Sequence, residues 1–183
     1  DDSFKIITTG FDTFDIIEFY KIPVQNLLML VMELSGRYGN GFRCWNHTVE
    51  TFKYLVKALQ YEDLTQLTKQ EIAAALIASF ALELERPDFD ALGPLAIEAL
   101  AECKGISVSS GCDAINEILG AEECNIFYNT SKSDLKALLK LVFRLAYATD
   151  MGRHFEILDS FSLLMDEGEF DLDKPQNRVA LLE

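Results

Sequence analysis

The sequence has few of the residues that build linkers, metal clusters or membrane spans. Four prolines and ten glycines, with no biased tract, leave little room for a long linker or a disordered arm. The four cysteines form no Cys-x-x-Cys pair, so a zinc cluster is not expected, and a chain this long does not need disulfide staples. No apolar run approaches the roughly 20 residues that span a bilayer. The protein is therefore predicted to be intracellular, soluble or peripheral in a complex, with reduced thiols and no membrane-spanning segment.

Basic residues are also scarce. Sixteen lysines and arginines stand against 30 aspartates and glutamates, which gives a net charge of −14. Repulsion from phosphate groups argues against a nucleic acid or an anionic membrane as partner. With 49% hydrophobic residues, the 183-residue chain can bury one substantial core. We expect a single domain over residues 1–183, with residues 1–20 as an N-terminal lead-in and 168–183 as a C-terminal tail.

Apolar residues recur at helical spacing along the chain, and no alternating strand pattern occurs, so the predicted fold is all-α. A turn is expected at Thr8–Gly10 and a loop at Gly105–Ser109. The predicted helices are a short one with Phe11, Phe14 and Ile17 on its buried face, one starting at Pro23, Phe42–Leu59, Lys69 to about Glu85, Pro94–Glu102, a short one from Ser110–Asp113 to Leu119, one capped by Ser131 that runs to Ala148, and Met151 to about Met165.

The helix predicted from Lys69 has the strongest start signal. Thr68 and Glu71 have the spacing of a capping box, and Leu67 and Ile72 could form the accompanying hydrophobic staple. Because the middle of this helix is almost wholly apolar, it is expected to lie at the centre of the fold.

Two stretches, Phe42–Thr51 and Phe80–Pro87, resemble the two metal-binding motifs of the cyclic-nucleotide phosphodiesterase catalytic domain (HD-type). The family patterns are roughly Tyr-His-Asn-Trp-x-His-Ala-x-Asp-Val and Cys-His-Asp-Leu-Asp-His-Pro-Gly. This chain matches them at Phe42, Trp45, His47, Leu84 and Pro87, and has Glu83 and Glu85 in place of the aspartates.

Later segments carry the same resemblance, namely Glu123–Ile126 with Asn129, and Ala148–Leu158. The likeness covers roughly Phe11 to Leu164 in unbroken order. It implies a compact multi-helix phosphodiesterase-like domain of which only the front portion is present, so the chain is interpreted as a C-terminally truncated member. Within Ala148–Leu158, Asp150 and Met151 correspond to pocket-lining positions and are expected here to pack or to cap.

The resemblance implies a degenerate site. Arg43 stands where the family has the histidine that protonates the leaving group, and Leu82 stands where it has a metal-binding histidine. Only His47 and Glu83 could still ligate a metal, which falls short of the three or more protein ligands of a catalytic site. Arg43 cannot donate a proton as a general acid, because its pKa exceeds about 12. No catalytic residue, no metal and no cofactor are therefore predicted.

The function predicted from these features is that of a catalytically inactive phosphodiesterase-like domain, a structural or protein-interaction subunit of a larger assembly. Its partners would be other protein subunits that contact an exposed apolar face, and a small-molecule ligand is not expected. One alternative is a regulatory module in which Arg43, near His47, holds a cyclic nucleotide or phosphate without hydrolysis. Another is an active phosphodiesterase completed by an unseen segment or a partner chain.

Overall fold

The computed structural model describes residues 2–38, 44–61, 64, 66–82, 84, 106–168 and 170–183, with 106–109 by their backbone alone. In these ranges the chain is helical and contains no strand, which confirms the all-α prediction. The helices are α1 (Asp2–Thr13), α2 (Ile16–Tyr20), α3 (Val24–Arg37), α4 (Trp45–Leu59), α5 (Lys69–Ala81), α6 (Ile106–Gly120), α7 (Lys132–Ala148), α8 (His154–Asp166) and α9 (Pro175–Leu182), with a short 3-10 helix at Met151–Arg153 before α8.

Helix α5 lies at the centre of the fold, as its apolar sequence predicts. Every residue from 71 to 81 is buried, and the helix packs against α7, α4 and α6. Its N-terminus has the predicted capping box: the Thr68 hydroxyl accepts a hydrogen bond from the Glu71 N–H, and the Glu71 carboxylate accepts one from the Thr68 N–H at 2.8 Å. These two bonds satisfy backbone donors that the first helical turn leaves unpaired.

The turn predicted at Thr8–Gly10 is wrong, because α1 continues through these residues to Thr13. Gly10 has a packing role instead. A Cβ atom at this position would come within 2.5 Å of the Phe52 ring, so glycine allows α1 and α4 to approach closely. The chain bends at Asp15, which adopts a left-handed conformation with φ of 54°.

The loop predicted at Gly105–Ser109 is also wrong over residues 106–109, since α6 begins at Ile106, whereas Gly105 lies outside the described residues. This helix is long enough to bury Ile115 and Ile118 in the core, and that packing overrides the weak helical signal of the serine-rich start. Gly111 lies where α6 crosses the end of α5: a Cβ there would be 1.9 Å from the Ala81 carbonyl oxygen.

Two predicted helix boundaries shift. Helix α5 ends at Ala81 rather than about Glu85, at its crossing with α6. Helix α4 begins at Trp45 rather than Phe42, because Cys44 has extended backbone angles and acts as the N-cap. The helix predicted at Pro94–Glu102 lies outside the described residues.

The range 168–183, predicted as a tail, contains α9, which has Pro175 at its first position. Arg178 of α9 forms an ion pair with Glu71 at the start of α5, which attaches this segment to the centre of the fold. Within the described ranges, no helix has both the length and the apolar character needed to cross a membrane.

Candidate functional site

A row of aromatic rings joins the two motif segments. The Trp45 ring lies 5.4 Å from the Tyr38 ring and 6.4 Å from the Phe80 ring, measured between centroids. The Tyr38 hydroxyl, at the end of α3, donates a hydrogen bond to the Phe80 carbonyl in the last turn of α5. Phe80 in turn stacks on Phe52 at 5.3 Å. The first turn of α4 and the end of α5 are therefore held together, as the two motifs require.

His47 lies in the first turn of α4 and is exposed to solvent. Its backbone N–H donates to the Cys44 carbonyl at 2.9 Å. The N–H groups of His47 and Asn46 also lower the pKa of the Cys44 thiol below its usual value, because they stabilise the thiolate. The start of α4 thus favours negative charge, in keeping with the positive end of a helix dipole.

The second motif segment has hydrocarbon side chains at its two described positions after α5. Leu82 follows α5 directly and is half-buried, and Leu84 is fully buried. Neither side chain has an atom that can ligate a metal. The predicted positions Arg43 and Glu83 lie outside the described residues, as do Phe42, Glu85, Arg86 and Pro87.

Among the described residues, no three histidine, cysteine, aspartate or glutamate side chains are grouped as a metal site requires. Of the two weak metal candidates, His47 and Glu83, only His47 is among the described residues. It lies in the first turn of α4, close to Cys44, which is the N-cap of this helix.

The Asp150 carboxylate accepts a hydrogen bond from the Gly152 N–H at 2.9 Å and so caps the 3-10 turn that leads into α8, as expected. Met151 was expected to pack or to cap, but its side chain is 74% exposed. The difference arises because α8 packs mainly on this turn and on α9, so no described helix covers Met151.

A cavity of about 480 Å³ between α7, α8 and α9, lined by both charged and apolar side chains, was not predicted from the sequence. Arg144 on its wall donates through Nε and Nη2 to the two carboxylate oxygens of Glu183, and the carboxylate raises the pKa of the arginine. Arg153 and Glu156 also line it, with their charged atoms 3.8 Å apart. These residues lie up to 39 positions apart in the chain, and no spacing pattern in the sequence marks them as neighbours.

Comparison with known proteins agrees with the resemblance noted in the sequence. The family model for 3'5'-cyclic nucleotide phosphodiesterase matches residues 108–183. The 3',5'-cyclic-nucleotide phosphodiesterase regA of Dictyostelium discoideum is 30% identical over 194 aligned positions, which include the whole of this chain.

The chain belongs to the cyclic-nucleotide phosphodiesterase family.

The match to this phosphodiesterase family is uneven along the chain. The matched range 108–183 contains both later segments singled out in the sequence, residues 123–129 and 148–158. The two motif stretches, Phe42–Thr51 and Phe80–Pro87, precede it. A second relative, the high affinity cGMP-specific 3',5'-cyclic phosphodiesterase 9A of Drosophila melanogaster, is 26% identical over 87% of this chain.

Solved structures agree on the phosphodiesterase fold. The phosphodiesterase domain of the RhoPDE fusion protein from the choanoflagellate Salpingoeca rosetta superposes with a TM-score of 0.86 at 20% identity. The superposition covers 99% of this chain and 59% of that domain. This chain spans 24% of the length of regA and 11% of the length of phosphodiesterase 9A.

Proposed function

We propose that this phosphodiesterase-like domain does not hydrolyse cyclic nucleotides and acts as a structural or protein-interaction subunit of a larger assembly. One observation carries the proposal. Leu82, directly after α5, has an aliphatic side chain, and the resemblance to the family places a metal-binding histidine at this position. Phosphodiester hydrolysis by this family depends on bound metal ions that activate water and neutralise the phosphate, so loss of a ligand acts on the chemistry directly.

The sequence at the first motif supports the same proposal. Arg43 replaces the histidine expected to protonate the leaving group, and a guanidinium keeps its proton at any pH that the folded protein experiences. Trp45 and Phe80, by contrast, retain the packing that brings the two motifs together. Substitution at the reactive positions with retention of the scaffold is the pattern expected of a pseudoenzyme, because function follows the site rather than the fold.

The proposed partners are protein subunits, and the surface that supports this is the exposed side of α8, where large apolar side chains lie in solvent. An intracellular location is part of the proposal. It is supported by the free thiols of Cys44, Cys112 and Cys124, which a reducing compartment maintains.

Hydrolysis and metal content test this proposal directly. The purified chain is dialysed, its divalent metals are measured by mass spectrometry, and cyclic AMP and cyclic GMP turnover is assayed with added Mg²⁺, Mn²⁺ or Zn²⁺. The phosphodiesterase domain of regA serves as the positive control. We expect no turnover above the blank and no stoichiometric metal. Two tightly held divalent ions per chain, or metal-dependent turnover, would overturn the proposal.

An active phosphodiesterase is the second candidate, and one observation favours it: regA, 30% identical along the whole chain, is named for hydrolysis of 3',5'-cyclic nucleotides. The missing ligands would then come from residues outside this chain. The same assay, repeated on the chain in its native complex, separates the candidates, because only the active enzyme gains turnover there.

A further inference from the structure

A second cavity lies at the N-terminal end of α5, opposite to Leu82 and the second motif segment. Its volume is about 410 Å³, and its walls come from α2, the first turn of α5 and the start of α7. Two side-chain amides join these walls. Asn129 Nδ2 donates to the Lys21 carbonyl at 3.3 Å, and Gln70 Nε2 donates to the Asp134 carbonyl at 3.4 Å. Three separate parts of the chain are therefore held around one space.

This cavity lies away from the last residue of the chain. Helix α9 begins near the start of α5, where Arg178 pairs with Glu71, and is followed by Glu183, which pairs with Arg144 on α7. Arg144 is ten residues beyond Asp134, which corresponds to about 15 Å along the axis of α7. The opening of the cavity is therefore set by α2 and by the starts of α5 and α7.

Tyr20 places a polar group in the wall of this cavity. The residue is 8% exposed, and its ring meets the Phe19 and Phe127 rings edge-on, each at 4.9 Å between centroids. Its hydroxyl makes no hydrogen bond with any residue of the described ranges. Buried hydroxyl groups ordinarily have a partner, because burial without one costs free energy. The Tyr20 hydroxyl is therefore available to a molecule that enters the cavity.

The groups around this hydroxyl are mainly hydrogen-bond acceptors. Burial, and secondarily the charge of Asp134, raises the pKa of the hydroxyl to about 12, so Tyr20 is neutral at pH 7 with a carboxylate nearby. Within the described ranges, Asp134 forms no ion pair. Gln70 and Asn129 use their amide nitrogens in the wall bonds, which leaves their amide oxygens able to accept.

We propose that this cavity binds an organic cation, an ammonium or guanidinium group on an apolar stem, whose N–H groups donate to the Asp134 carboxylate and the Tyr20 hydroxyl. The Phe19 ring, 59% exposed, offers an apolar surface to the stem and a ring face to the cation. An anion fits less well, because Asp134 already lies in the first turn of α7 and the chain carries a charge of −14.

This inference goes beyond the proposed function and does not depend on it. It departs from the expectation that no small molecule binds, because no spacing pattern in the sequence marks residues 20, 70 and 134 as neighbours.

Three probes of similar shape test the charge requirement: benzylammonium, benzyl alcohol and benzoate. Binding to the purified chain is measured by ligand-observed NMR titration at pH 7. We expect benzylammonium to bind with a dissociation constant of about 1 mM, and about fivefold or more tightly than benzyl alcohol. Benzoate should not bind, because its carboxylate would face that of Asp134.

Variants then assign the site. Asp134→Asn should weaken binding of benzylammonium about tenfold, and Tyr20→Phe, which keeps the ring, about threefold. Lys21→Met removes the one cationic residue of the cavity wall and should tighten binding about twofold. Asp159→Asn is the matched control: it removes the same charge from an exposed position on α8 and should leave binding unchanged. Circular dichroism verifies that each variant folds.

The cation could belong to a free amine or to a lysine side chain of a protein, and a fourth probe separates these sources. Lysine blocked as its acetyl and methylamide derivative presents the same ammonium group on a backbone. Tighter binding of blocked lysine than of benzylammonium, lost in Asp134→Asn, supports a protein side chain. The reverse order supports a free amine.

The proposal is overturned if benzylammonium does not bind, if benzyl alcohol or benzoate binds as tightly, or if Asp134→Asn binds like the parent chain. It is equally overturned if Lys21→Met weakens binding, or if Asp159→Asn weakens it as much as Asp134→Asn, because the overall negative charge is then responsible. These results are independent of the metal and turnover measurements. Failure here leaves the proposed lack of hydrolysis standing.

Discussion

Arg178 of α9 donates from Nε to both carboxylate oxygens of Glu71, at 3.1 and 3.0 Å, across 107 residues of sequence. The two side chains are 11% and 8% exposed. The arginine also donates to the Leu172 carbonyl at 2.9 Å, and Glu71 completes the capping box with Thr68. The start of the central helix and the last helix of the described chain thus share one buried ion pair.

We expect Arg178→Met to lower the free energy of unfolding by about 3–5 kcal/mol, because it leaves the Glu71 carboxylate buried without its cation. The double variant Glu71→Gln/Arg178→Met should recover part of this loss, since glutamine still completes the capping box. Urea unfolding followed by circular dichroism measures both.

Lys53→Met is the control for the buried pair. Lys53 pairs with Glu50 on α4, and the two side chains are 46% and 54% exposed, so its loss should change the unfolding free energy by less than about 1 kcal/mol. Equal effects of Arg178→Met and Lys53→Met would contradict the assigned role of the Glu71 pair.

Gly111→Ala should destabilise the fold strongly. The added methyl group would meet the Ala81 carbonyl at 1.9 Å, and backbone cannot move aside as a flexible side chain can. We expect a loss of about 3 kcal/mol or more, in the upper range of overpacking effects.

Gly36→Ala serves as the control in the same unfolding experiment. Gly36 lies in α3, and a methyl group added there would have no neighbour within 4 Å, so the substitution should be neutral or stabilise by up to about 1 kcal/mol. Similar stabilities for the two variants would show that α6 does not cross α5 as described.

Cys44 should be the most reactive of the described cysteines. The N–H groups at the start of α4 lower the pKa of its thiol, whereas burial raises the pKa of Cys112 to about 11 and also raises that of Cys124. Iodoacetamide labelling between pH 6.5 and 9, read by peptide mass spectrometry, should modify Cys44 first, because its lowered pKa gives it the largest thiolate fraction at each pH. Faster labelling of Cys112 or Cys124 would contradict this order.

Tyr20 should make stability fall at alkaline pH. Burial, and secondarily the charge of Asp134, raises the pKa of its hydroxyl from 10.0 to about 12. The unfolded chain therefore loses this proton first, and the stability due to Tyr20 is complete below pH 10 and lost between pH 10 and 12. Over this pH range the free energy of unfolding is expected to decrease by about 2–3 kcal/mol.

In Tyr20→Phe, the free energy of unfolding should change less between pH 10 and 12 than in the parent chain. Urea unfolding at several pH values measures this pH profile. Tyr54→Phe, at a tyrosine that is 72% exposed, should leave the profile unchanged. An unchanged slope in Tyr20→Phe would show that other groups control alkaline unfolding.

Local signals account for the parts of the structure that the sequence predicted well. Thr68 with Glu71 and Ser131 with Asp134 predicted two helix starts, because a capping interaction involves neighbours in the chain. The apolar run of α5 predicted its central place. The local signals gave wrong predictions at Thr8–Gly10 and at residues 106–109, because helices α1 and α6 continue through these positions despite the weak helix propensity of glycine and serine.

The sequence alone determined the helical class, the central helix and the replacement of reactive side chains at positions 43 and 82. These follow from residue identity and short-range spacing, which are fixed before the chain folds. Tertiary structure decided the rest: the contact of Trp45 with Phe80, the pairing of Arg178 with Glu71, and the exposure of Phe155 on α8. Each of these depends on which helices meet in space, and the periodicity of a single helix shows that it has an apolar face but not what covers it.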